Sequence, residues 1–148
     1  MAGQKTWISG QGNQQFGDFW ASSKENGLIK TLNSLSGYQP GSVTKSHVFG
    51  IFRVEEDPLN RAFNFWIATE AGSATIPEGL ETYWVPACKW AIFSNTGELP
   101  MSLVEAEMFA FMEWLPSSPY QHANAPELEV YPAQDENLVE FWLPVLEK

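Results

Sequence analysis

The chain has 148 residues, 44% hydrophobic and 14% aromatic, with seven tryptophans and ten phenylalanines. That is the length of one domain with a sizeable core, and the composition excludes a disordered segment. The formal charge of −10 lies in residues 75–148, which hold two basic and twelve acidic side chains, a field that repels phosphate backbones and argues against direct nucleic-acid binding.

A short opening strand around Trp7 precedes a Gly/Asn/Gln loop at 10–14. Phe16, Phe19 and Trp20 follow an i, i+3, i+4 spacing that predicts one apolar helix face. Gly27 breaks this helix; Leu28, Ile29, Leu32 and Leu35 predict a second short helical stretch before a loop at 37–41. Residues 48–54 and 63–69 read as strands joined by an acidic turn at 55–58. A loop spans 71–79, and a third strand pattern runs over 82–94, interrupted by Pro86 as at a bulge or sheet edge. After a turn at 95–97, Ser102 and Glu105 form a capping-box pattern. Val104, Met108, Phe111 and Leu115 continue it as a helical stripe that Pro116 ends. The stripe reads as core, and Glu105, Glu107 and Glu113 as a solvated face. A loop at 117–126 leads to a last strand pair, 128–131 and 138–145, around a turn at 132–137.

The order is strand–helix–strand–strand, twice, within a single domain over 1–148. This predicts an α+β fold of two modules, about 1–74 and 75–148, related by a pseudo-twofold, with an antiparallel sheet and a groove between the halves. A faint echo supports the repeat: Asn64-Phe65-Trp66-Ile67 matches Glu140-Phe141-Trp142-Leu143, and Phe49-Gly50-Ile51-Phe52 matches Leu128-Glu129-Val130-Tyr131. In that register Gly50 corresponds to Glu129, so the cleft would hold one carboxylate with an open glycine opposite.

Glu129 lies in a short apolar strand. Alternation places it and Tyr131 on one face, with Leu128 and Val130 on the other. A carboxylate in apolar surroundings is costly unless a positive charge joins it, and aromatic faces attract cations. The expected site is therefore an acidic aromatic pocket for a hydrophobic organic cation, with Glu129 selecting charge. Tyr131, Trp142 and Trp66 would stack on the ligand, with Phe52 and Trp84 as further contacts. The alternative for Glu129 is an exposed residue on a half-solvated sheet, and for each tryptophan a place in the core.

The order and spacing of several segments resemble the GyrI-like small-molecule-binding domain, also called the AraC-type effector-binding domain. They are Phe19-Trp20, Phe49-Gly-Ile-Phe52, Phe63-Asn-Phe-Trp-Ile-Ala68, Gly79-Leu-Glu81, Glu113-Trp-Leu-Pro116, Ala125-Pro-Glu-Leu-Glu-Val-Tyr131 and Phe141-Trp-Leu-Pro-Val145. The resemblance implies two strand–helix–strand–strand modules with a ligand groove between them. It also implies that Glu129 holds the family's acidic pocket position, which pairs with cationic aromatic ligands. Standalone members carried on mobile gene cassettes are the most similar. The sequence departs from the pattern in having no DNA-binding helix-turn-helix segment and a short first strand, through whose edge two chains could pair as a dimer.

Two other roles stay open. Some members of the family are thought to be hydrolases, which would make Glu129 a general base oriented by Tyr131. An acidic adaptor docking on a regulator or a DNA-handling enzyme would also suit the charge. With one cysteine, Cys88, and no HxxxH or CxxC spacing, no metal and no cofactor are expected. The longest apolar run, 141–146, is too short to span a membrane, and segment 1–7 lacks the apolar core of a secretory leader, so the cytoplasm is expected.

Overall fold

The computed structural model describes residues 1–9, 14–39, 45–53, 62–71 and 75–148. Its centre is an eight-stranded, wholly antiparallel sheet: β1 (Ala2–Ile8), β2 (Phe49–Phe52), β3 (Phe63–Thr69), β4 (Glu81–Thr82), β5 (Lys89–Thr96), β6 (Tyr120–His122), β7 (Glu127–Val130) and β8 (Leu138–Glu147). The order β4-β1-β3-β2-β7-β8-β5, with β6 also on β8, contains a palindrome. Each half runs outer strand, long strand, inner strand, and the two inner strands β2 and β7 meet at the seam. This is the α+β architecture of two strand–helix–strand–strand modules read from the sequence.

The ladder refines one detail of the internal echo. Trp66 lies opposite Ile51, Trp142 lies opposite Leu128, and Ile51 pairs with Leu128. Aligning the two tryptophans therefore puts the axis at the Ile51–Leu128 pair and matches Phe52, not Gly50, to Glu129. Gly50 is instead the direct cross-strand partner of Glu129.

Two helices, α1 (Gln14–Glu25) and α2 (Leu28–Leu35), follow β1. Gly27 separates them in the left-handed conformation (φ 85°), which a residue without Cβ adopts at little cost. The third helix, α3 (Met101–Met108), continues through a π-helical stretch (Phe109–Trp114) into a short turn, Leu115–Ser117. The expected capping box does not form. The helix begins at Met101, no side chain caps it, the buried Ser102 hydroxyl has no partner among the described residues, and Glu105 accepts a hydrogen bond from Asn95.

Other expectations shift in register. The pattern at 82–94 resolves into the two-residue β4, an irregular stretch at 83–88 around Pro86, and β5, which runs on through Asn95 and Thr96. The loop expected at 117–126 contains β6, paired with the end of β8. β1 is seven residues long, pairs along its whole length with β3, and is partly covered by β4 at Ala2 and Gly3. It is therefore longer than the short strand expected, and beyond Gly3 no strand among the described residues pairs with its outer side. The acidic turn at 55–58 lies outside the described residues. Among the described residues, no helix is long and apolar enough to cross a membrane.

Both sheet faces are apolar. One packs against the helices through Ile8, Phe52, Phe63, Phe65, Ile67, Phe141 and Leu143. The other buries Phe49, Ile51, Trp66, Leu128, Val130 and Trp142 beneath Met1, Tyr83, Val85 and Trp90. Phe65, fully buried, touches the rings of Phe16, Phe19, Trp20 and Phe52 at centroid distances of 5.0–6.4 Å. It is the hinge pin of the helix-side core. Phe65→Ala is expected to cost about 3–5 kcal/mol in chemical denaturation, whereas Trp84→Ala, at a position 85% exposed, should stay within about 0.5 kcal/mol.

Candidate functional site

Between the helix-side sheet face and the helices α1 and α3 lies a cavity of about 650 Å³. Its floor is Phe52, Phe63, Glu129 and Tyr131; α1 contributes Phe16, Gly17, Trp20 and Lys24; the third helix and the residues before it contribute Leu99, Pro100, Leu103, Val104, Glu107, Met108, Phe111 and Met112. The walls are thus aromatic and aliphatic, with a few polar groups, the usual make-up of a small-molecule site.

Strand alternation sends Glu127, Glu129 and, just beyond β7, Tyr131 to this face. The two acids differ in what they meet. Glu127 accepts from or shares a proton with His122 Nε2 at 3.1 Å, and His122 Nδ1 lies 2.6 Å from the Ala123 carbonyl. His122 also stacks beneath Phe111, one of the cavity walls, with ring planes 13° apart. Glu129 is 5% exposed, and no basic side chain among the described residues pairs with it. Its Oε1 accepts the Tyr131 hydroxyl at 2.5 Å, and no described residue engages its second oxygen.

Burial pushes the Glu129 carboxyl up to about 7, only partly offset by the Tyr131 hydrogen bond. Burial and the adjacent Glu129 hold the Tyr131 phenol well above its usual range, so it stays a donor.

The room for this carboxyl comes from across the seam. A Cβ on Gly50 would lie 2.5 Å from Glu129 Oε1, 2.9 Å from its Cδ and 3.0 Å from the tip of Phe65. Glycine at this position is a requirement of space, and the open glycine expected opposite the acid is the reason the acid can lie against the sheet.

Three of the residues read from the sequence come together here: Glu129, Tyr131 and Phe52. Trp66 and Trp142 do not, because both point to the opposite face of the sheet. There they are 7% and 3% exposed, Trp66 against Tyr83 and Trp142 against Trp90, and Trp142 donates to Glu140 at 3.0 Å. They belong to the second core cluster. Trp84 stands in the irregular stretch after β4, 85% exposed and away from the cavity. The stripe Val104, Met108 and Phe111, read as core, is cavity wall, and Glu107, read as solvated, lines it too. Helical spacing marks an inward face without distinguishing packed core from a cavity. Trp20, which touches Tyr131 edge-on at 5.5 Å, was legible only as part of an apolar helix face.

Because the folded-state pKa of Glu129 lies above its unfolded value, the native protein binds the extra proton between about pH 4.5 and 7. That contribution to stability is present in full below the unfolded pKa and is lost as pH rises through about 7. Glu129→Gln, which cannot ionise, is expected to match the parent near pH 4 and exceed its thermal stability at pH 8. A parallel pH profile for the two proteins would contradict the assignment.

Comparisons with known proteins bear on the family and the fold. Residues 1–145 match the family described as integron-associated effector binding protein. No curated protein gives a significant match. Among solved structures, SAV2435 bound to tetraphenylphosphonium superposes with a TM-score of 0.76 at 19% identity, covering 98% of this chain and 87% of that one. A putative bacterial transcription regulation protein from Staphylococcus aureus MU50 gives 0.62 at 19% identity, covering 97% and 90%. An integron cassette protein from the mobile metagenome of Vibrio cholerae gives 0.57 at 20% identity, covering 98% and 88%. These three share the fold. With its sequence matched from residue 1 to 145, the chain belongs to the integron-associated effector-binding protein family.

Proposed function

We propose that this chain binds lipophilic organic cations in the cavity between α1, α3 and the sheet, with Glu129 as the charge partner. The observation that carries the reading is a buried carboxyl with no basic partner among the described residues, at the floor of an aromatic-walled cavity of about 650 Å³. An isolated carboxylate there is unfavourable, and a cation with apolar arms relieves it. Phe16, Trp20, Phe52, Phe63 and Phe111 offer faces and edges to such arms, and the aromatic quadrupoles add attraction for the charge. The structural relative SAV2435 was solved with tetraphenylphosphonium, a cation of this kind, which supports the class of ligand. The net charge of −10 further favours cations during encounter.

Glu129 and Tyr131 also have the geometry of an acid–base pair, a carboxyl near neutrality beside a phenol donor. A hydrolytic role for the same pair is the second reading, and it predicts turnover of an electrophilic substrate. Binding without turnover removes it.

Titration calorimetry with tetraphenylphosphonium and a neutral tetraphenyl analogue tests the first reading. Glu129→Gln is expected to weaken the cation about ten- to a hundredfold and leave the neutral compound within about threefold. Equal losses for both would remove the carboxylate from recognition. Because the cation favours the ionised acid, its affinity should rise up to about tenfold per pH unit towards pH 7 and level off above it. Gly50→Ala, which pushes a methyl into the carboxyl, is expected to destabilise the fold by about 1–3 kcal/mol and to weaken the cation more than the neutral analogue.

A further inference from the structure

The rim of the cavity along the third helix differs in kind from its floor. Phe52, Phe63 and Leu103 line the cavity and are buried, whereas Leu99, Met108 and Met112 line it while 52%, 54% and 68% exposed. These three side chains therefore join the interior of the cavity to the protein surface. Of the chain's four methionines, three stand on this one helix: Met108, Met112 and the exposed Met101. Their spacing of i, i+7 and i+11 puts them on one stripe about 16 Å long, at about 1.5 Å per residue. Neither core cluster includes them. The apolar surface they turn to water starts at the cavity and continues along the outside of the helix, as at the edge of a ligand groove.

We propose that Leu99, Met108 and Met112 form an apolar lip for the tail of a single-chain cationic amphiphile whose head group lies against Glu129, with Met101 extending the track. This rests on the reading of the site as a cation pocket and adds where the rest of a long ligand goes. Continuity with the cavity selects this occupant. The helical wall between floor and lip is apolar at Val104 and Phe111, so a tail rising from Glu129 stays out of water until it meets the methionines. A methionine side chain suits such a tail, being unbranched, polarisable and able to follow a chain of changing shape. The lip also gives the argument a sign. In a closed pocket, methylenes beyond the filled volume add nothing to affinity. Over an apolar lip the gain continues, because each further methylene still covers apolar surface.

The experiment measures, by calorimetry below micelle-forming concentrations, the affinity of alkyltrimethylammonium ions with tails of eight, ten, twelve and fourteen carbons. Each added methylene is expected to tighten binding about two- to threefold along the series. Met108→Gln combined with Met112→Gln should flatten that slope to below about 1.5-fold per methylene, and the paired change to leucine should restore it. Glu129→Gln should weaken every length by a similar factor and leave the slope. A slope that stops at short tails in the parent protein, or that survives the glutamine pair, overturns the lip and leaves the cation reading standing. A lip-dependent slope shared by neutral alkyl maltosides and indifferent to Glu129→Gln overturns the cation reading and supports the lip as a tail site. Sedimentation of the free protein tests another occupant: a dimer that the glutamine pair dissociates gives the lip to a second copy and overturns the proposal. If the pair folds poorly, Met112→Gln alone, at the most exposed of these positions, should still lower the gain between twelve and fourteen carbons.

Discussion

A carboxyl group pressed against the middle of a β-sheet, under aromatic rings and with no basic partner among the described residues, constrains everything around it. The acid needs a donor, which Tyr131 supplies from two residues along, and it needs room, which Gly50 supplies by lacking a side chain. It also needs to be kept apart from its neighbour Glu127, whose pairing with His122 ties that second acid to β6 and to the back of Phe111. A sheet buried on both faces gives such a group no water to retreat to. The fold therefore holds a carboxyl whose ionisation is unfavourable, and the helices leave a space above it where other proteins would place core.

Much of this was written in the chain. Strand periodicity located β3 at 63–69 to the residue and placed Glu129 and Tyr131 on the same face, because a period of two leaves no freedom once an element is known to be a strand. The strand–helix–strand–strand order, repeated, is enough to build the palindromic sheet, since each short connection forces antiparallel neighbours. Period alone does not say which face meets the helices. Trp66 and Trp142 were legible as inward residues, but both faces are inward here, and the register against Ile51 and Leu128 sends them to the side away from Glu129.

The helical wall was hidden for a related reason. Val104, Met108 and Phe111 have the spacing of a core stripe, and only the separation between α1 and α3 turns that stripe into a lining. The same holds for Glu107, whose position beside two such residues would have been the one available signal. The capping pattern at Ser102 and Glu105 failed because the cap position falls two residues earlier, at Pro100, and Asn95 on the neighbouring strand claims the glutamate. A tertiary partner outweighed a local motif worth about 1 kcal/mol.

The seam between β2 and β7 is only four residue pairs long, whereas β1 joins β3 over seven and β5 joins β8 over eight. The cavity straddles this shorter junction: Phe52 comes from one side, Glu129 and Tyr131 from the other, with α1 above the first half and α3 above the second. Any occupant that grips both walls acts as a clamp across the seam that joins the two halves. Occupancy would then be felt as mechanical union of the two halves, and amide protons along β2 and β7 would be the first to record it.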